Sequence, residues 1–149
     1  MSDLSIFDIS ASGMAVERLR MQIGSINLAN ANTTRTQNGE LYKPLTVLSS
    51  PKYISQDFES MLSEMSLNTD MPLGVQVDSI EETDVNPRIV FDPSHPDADQ
   101  NGYVRYPNVN PVTEMVNLIN ITRSYEANVR AFNASKRMFQ TAMDIGGRS

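Results

Sequence analysis

The chain has 149 residues, is 40% hydrophobic, lacks cysteine and carries 18 acidic residues against 12 basic ones, for a net charge of −6. That length allows one domain with a sizeable core. The acidic balance argues against a nucleic-acid partner, because phosphate neutralisation needs a basic surface, and the missing thiols exclude disulfides, thiolate zinc sites and a cysteine nucleophile.

The opening stretch carries Asp3 and Asp8 and has neither a basic leader nor an uninterrupted apolar run. No secretory signal is therefore expected, and no segment approaches the roughly 18 apolar residues of a membrane span. The chain either stays in the cytoplasm or leaves by a route that does not use such a signal. Charge is also unevenly placed: between Tyr53 and Gly102 there are eleven acidic residues and one basic one, Arg88, while the two ends together carry net positive charge.

In chain order, Ile9, Val16, Leu19, Ile23 and Ile26 fall on one heptad-like stripe, widened by Met14, Met21 and Leu28. The spacing predicts a helix over about Ile6 to Ala31, weakened by Gly13 and Gly24 at about 1 kcal/mol each relative to alanine. It runs into "NLANANTTRTQNGELY", where Asn30 and Asn32 can end it through left-handed geometry or capping bonds, and Asn38-Gly39 offers a second turn.

"LTVL", "GVQVDSI", "RIVF" and "GYVRY" read as short strands separated by turn residues, and "SQDFESMLSEM" (Ser55 to Met65) reads as a short helix. Beyond them, Asn110 is a good N-cap, Pro111 suits a first helical turn, and Gly146-Gly147 offers a stop. Between those limits Met115, Leu118, Tyr125, Val129, Phe132, Phe139 and Met143 keep a 3-4 alternation, with Thr122 and Lys136 as its two polar positions. The fold class is thus α+β: long N- and C-terminal helices pairing as a coiled coil, with a small β-rich middle module. The expected division is 1–32, 33–109 and 110–149.

Two long amphipathic helices leave apolar surface uncovered, so assembly with other copies or relatives is the natural outcome. Arg123, Arg130 and Arg137 lie seven apart, away from the main apolar stripe; they are either a solvated face or a basic rail that meets an acidic surface, such as another copy's middle segment.

Chemistry-bearing motifs are few. "DADQNGYVRYPN", Asp97 to Asn108, matches the first half of a calcium loop, but Asn108 stands where a bidentate glutamate is required. Its other reading is an Asp/Asn/Gly-rich turn, and an alternative function is a soluble calcium-binding adaptor built on Asp97, Asp99 and Asn101 in the Asp97–Gly102 loop. His95, the only histidine, sits between turn prolines and lacks the companions of a catalytic base. Glu81 and Glu82 have no apolar pocket to raise one pKa, and no phosphate-binding loop, nucleophile elbow or zinc-protease motif is present. Neither an enzyme nor a cofactor, metal or small-molecule substrate is expected.

"SASGMAVERLRMQIGSINLANANTTRT" resembles the N-terminal signature of bacterial flagellar axial proteins, the rod and hook group, and "NVNPVTEMVNLINITRSYEANVRAFNASKRM" resembles their C-terminal signature. "DPSHPDADQNGYVRYPNVNP" and "NANTTRTQNGELYKP" are similar to the proximal-rod branch of that family, whereas Lys52 to Leu73 matches no signature. On this resemblance Asn27, Asn30, Asn32, Thr33, Glu126 and Asn128 belong to signature positions. It implies a rod subunit whose terminal helices form an inner layer around an export channel, disordered in the free monomer, with the middle segment outside. It also implies export through the flagellar type III apparatus, and as partners other copies, other rod proteins, and the inner-membrane ring with its rod-base adaptor.

Overall fold

The computed structural model describes residues 2–52 and 73–146. They form a helix α1 (Ser2–Ala29), strands β1 (Leu45–Pro51), β2 (Val75–Glu82), β3 (Arg88–Phe91) and β4 (Tyr103–Tyr106), and a second helix α2 (Pro111–Gly146). The expected short helix at Ser55 to Met65 and Gly147 of the expected helix stop lie outside the described residues.

The end of α1 and the start of α2 each have a local chemical cause. Helix α2 begins where the Asn110 carboxamide oxygen accepts from the Val112 amide at 3.0 Å, satisfying a donor that the helix itself leaves open. Helix α1 ends as its bonding tightens, with the Ala31 amide donating to the Leu28 carbonyl. The Asn30 side chain donates to the Ile26 carbonyl at 2.9 Å and accepts from Thr33 Oγ1 at 3.1 Å. Of the two ways of ending the helix, the chain uses the side-chain bond: among the described residues only glycines have a positive φ.

Strands β1 and β2 pair antiparallel from Leu45 opposite Glu82 to Pro51 opposite Val75, with a bulge at Asp78 where the register shifts between Leu48 and Ser49. Strands β3 and β4 form a separate antiparallel pair, Arg88 opposite Tyr106 through Phe91 opposite Tyr103. Gly74, at φ 123°, enters β2 in a conformation that L side chains rarely adopt and packs against Ser12 of α1.

Helix α1 is the shared wall. It packs against α2 and against the β1–β2 sheet, while α2 makes no such backbone approach to any strand among the described residues. Among the described residues, Val16 and Ile23 of α1, Val47 of β1, Ala31, Val104 and Pro107 have buried apolar side chains. No α2 residue is buried.

Candidate assembly surface and junction

The two helices run antiparallel, and they approach closely at two glycines of α1. A Cβ on Gly24 would stand 3.0 Å from Leu118 Cδ2, and one on Gly13 would stand 2.9 Å from Asn128 Nδ2. Nearer the N-terminus, Phe7 meets Phe132 edge to face with ring centroids 5.2 Å apart, a geometry favoured by the ring quadrupoles. Ile6, Phe7, Met138 and Phe139 then line a small cleft of about 200 Å³ at the end of the pair.

This geometry sorts the expected stripes. On α2 the half-buried positions Leu118, Ile121, Tyr125, Asn128, Phe132 and Ser135 form the seam toward α1. They share Leu118, Tyr125 and Phe132 with the expected stripe but replace its second column. Thr122 and Lys136 therefore fall off the seam, which accounts for polar residues at those places. Val129 is half-buried beside it, and Met115, Phe139 and Met143 remain 51%, 45% and 63% exposed.

On α1, Val16 and Ile23 are buried, Leu19 and Leu28 are half-buried, and Ile9 and Ile26 are exposed. Ile23 lines a cleft of about 320 Å³ with Leu45 and Val47 of β1 and Ile121 of α2, so this stripe serves the sheet as well as the other helix.

The junction is organised around Asn27, one of two buried polar residues among those described. Its side-chain amide donates to the Leu45 carbonyl at 2.9 Å, and its oxygen accepts from the Leu45 amide at 2.9 Å and from the Tyr42 hydroxyl at 2.7 Å. The carboxamide thus acts as one more strand residue for the first position of β1, clamping the sheet to the helix. Burial pushes the Tyr42 hydroxyl above its ordinary pKa of 10.0, and the nearby carboxylates of Glu114 and Glu82 push it further.

Two more bonds fix the sheet along α1. Ser12 Oγ accepts from the Val75 amide at 3.1 Å, and Arg20, paired with Glu17 at 3.0 Å, donates to Ser49 Oγ at 2.8 Å. Sequence reasoning missed Ser12, Arg20 and Phe7; only the lodging of polar residues beside an apolar stripe hinted at the first two. Asn32 and Glu126 are exposed, as are Arg123, Arg130 and Arg137, and Glu126 pairs with Arg130 at 3.5 Å along the helix.

In the calcium-like loop the carboxylates face protein donors. Asp97 accepts from Thr34 Oγ1 at 2.7 Å, and Asp99 accepts from the amides of Asn101 and Tyr103 at 2.8 and 2.9 Å. The loop is thereby built as a turn feeding β4, with His95 Nδ1 accepting from the Asp97 amide at 3.1 Å. Nothing in this geometry supports the calcium adaptor.

A long helix pair in which no side chain of α2 is fully buried, held to a β-rich module through Asn27, Ser12 and Arg20, has the form of a structural subunit with a helix face open to neighbours. A family model described as "Flagellar basal body rod FlgEFG protein C-terminal" matches residues 100–145. The chain is 44% identical to the flagellar basal-body rod protein FlgC of Bacillus subtilis over 142 residues, covering 93% of this chain and 95% of that protein. It is 36% identical to FlgC of Borreliella burgdorferi, covering 95% of each, and 34% identical to FlgC of Salmonella typhimurium, covering 98% of this chain and 99% of that one. The chain belongs to the FlgC family of flagellar basal-body rod proteins. It is a structural subunit of the rod, and the rod of the basal body is its location.

Proposed function

We propose that residues 1–32 and 110–149 pair as a coiled coil and form the inner layer of the rod around its export channel, while residues 33–109 form an outer module. The layer would act as a drive shaft: close-packed long helices resist twisting, and torque passes between copies through their packed faces. Its neighbours would be further copies, other rod proteins and, at the base, the inner-membrane ring with its adaptor. Delivery would be through the flagellar type III apparatus.

The observation that carries this reading is the state of α2. It spans 36 residues, about 54 Å at the usual rise, without one buried side chain. Val112, Met115, Val116 and Ile119 are each at least half exposed. Complete burial of such a side chain contributes about 1.5 to 3 kcal/mol, so covering this face with neighbouring helices supplies the stability that a two-helix pair lacks.

Phe132→Asp tests the reading. A carboxylate facing Phe7 should abolish rod assembly and swimming in a flagellated host lacking its own copy, while the β-rich residues stay soluble. Normal swimming by that strain would count decisively against an inner helix layer.

A further inference from the structure

We propose that the projecting C-terminal turns of α2 plug, in the assembled rod, the cleft between α2 and the β1–β2 sheet of a second copy. The proposal rests on the helix-layer reading and deepens it by naming the end-to-end contact through which copies join.

The two helices of the pair end unevenly. Phe7 meets Phe132, and from that point α1 runs on to Ser2, about 7.5 Å of helix, while α2 runs on to Gly146, about 21 Å. Among the described residues α2 therefore passes its partner by about 13 Å, or about two and a half turns. The projecting stretch, "MFQTAMDIG" from Met138 to Gly146, carries one charged residue, Asp144. Met138, Ala142 and Ile145, spaced four and three apart, form an apolar row along it. Ile6 and Phe7 still line the small cleft beside Phe139 and Ala142, but Met143 and Ile145 lie past them, 63% and 71% exposed. The seam that α1 fills thus continues into a length of helix that α1 does not cover.

The receiving cleft is at the other end of the pair. Helix α1 packs against both α2 and the sheet, whereas those two walls make no backbone approach to each other among the described residues. The gap between them is the cleft of about 320 Å³, with Ile23, Leu45, Val47 and Ile121 as its apolar lining. An apolar cavity of about 150 Å³ holds a benzene ring, so the cleft has room for roughly two side chains of that size. Asn117 stands on its α2 wall and Thr46 on its sheet wall, and both are exposed.

The projection cannot enter the cleft of its own molecule, because Ile121 and Met143 lie on one helix about 33 Å apart. Plug and cleft are different patches at opposite ends of the same helix pair, which is what a head-to-tail contact between copies requires. Each copy then offers its projection to one neighbour and its cleft to another, and the contact repeats along the assembly.

The chain has no cysteine of its own, so introduced thiols report the contact without background. One variant carries Met143→Cys with Asn117→Cys, a second carries Met143→Cys with Thr46→Cys, and a third carries Met143→Cys alone. Each full-length chain is expressed beside the parent in a flagellated host, so that rods are present, and isolated basal bodies are oxidised and resolved without reductant. At least one of the two pairs should give species of two and more chains, and Met143→Cys alone should give none. A bridge needs Cα atoms within about 7 Å, so the distance along α2 excludes closure of the Asn117 pair within one molecule. Incorporated chains that do not cross-link in either pair, or tip-to-tip cross-links by Met143→Cys alone, overturn the proposal. A second measurement uses Ile145→Asp, which should keep the parent's circular dichroism as a purified chain, yet enter basal bodies at least about tenfold less, because the contact would bury an unpaired carboxylate. Entry at the parent's level also overturns it. Phe132→Asp reports separately on the helix layer: loss of assembly there, with no cross-link here, leaves the layer standing without the plug.

Discussion

Gly13 of α1 lies so close to Asn128 of α2 that a Cβ on the glycine would stand 2.9 Å from the asparagine's amide nitrogen. Gly24 repeats the relationship with Leu118 eleven residues later. A helix that gives up about 1 kcal/mol of intrinsic stability at each glycine gains an approach that a bulky side chain would not permit. Gly13 and Asn128 belong to the two separated stretches that carry the family resemblance, and they meet in space at one point of the seam.

Substitution at Gly13 should divide by size. Gly13→Ala should be near neutral, because the propensity gain of about 1 kcal/mol offsets turning the flexible Asn128 amide aside. Gly13→Leu should cost about 1 to 3 kcal/mol by overpacking and separate the helices. Rod yield in isolated basal bodies is the measurement, with Gly146→Leu as control, since nothing lies within 4 Å of a Cβ there. Equal loss in Gly13→Leu and the control would mean that the seam does not depend on this approach.

The sequence made the start of α2 legible because both signals are local: Asn110 caps within three residues, and Pro111 fits only a first turn. Strand β3 was readable as "RIVF" for the same reason. Which residues of α2 face α1 was not readable, because apolar periodicity alone favours Val129 over Asn128. The preference reverses only when Gly13 stands opposite. The glycines looked like weaknesses, since local propensity carries no information about a neighbour on the other terminal helix. Asn27 was visible as a signature residue, but its partner Leu45 lies 18 positions on, and no spacing rule connects a carboxamide to the start of a strand.

The Asp97–Gly102 loop should behave as a turn. Asp99→Ala removes the acceptor for two backbone amides and should loosen the β3–β4 pair by about 1 to 3 kcal/mol in chemical denaturation, with or without calcium. Calorimetric titration of the parent chain should give no heat at micromolar calcium. Micromolar binding removed by Asp97→Ala would instead reinstate the adaptor.

Alkaline pH should act on the junction through Tyr42. Its folded pKa stands above the ordinary 10.0, first because burial disfavours the phenolate and then because Glu114 and Glu82 repel it. The stability linked to this group is therefore whole below about pH 10 and is lost as pH rises through the folded pKa. Tyrosinate absorbance should reveal one late-titrating tyrosine. Glu114→Gln should bring that titration earlier, and Tyr42→Phe should abolish it. Because Glu114 belongs to α2, an unchanged titration in Glu114→Gln would indicate that α2 does not lie beside the junction in solution.

Asn27→Asp gives the sharpest test of the clamp, because Asn27 uses its donor and its acceptor on the same residue, Leu45. A carboxylate keeps the bonds from the Leu45 amide and the Tyr42 hydroxyl but sets negative charge against the Leu45 carbonyl, which should cost about 1 to 3 kcal/mol at neutral pH. Burial and the neighbouring carbonyl should raise the folded pKa of the new carboxyl above the unfolded value of about 3.9. The variant should thus be closest to the parent below that value, where the protonated acid again donates to Leu45, and should lose stability as pH rises through the folded pKa. Asn27→Ala, which supplies neither donor nor acceptor, should show the loss at every pH. Urea denaturation of the three chains at pH 3.5 and pH 7 measures it, and parallel pH responses in Asn27→Asp and Asn27→Ala would show that the amide donor does not hold the strand.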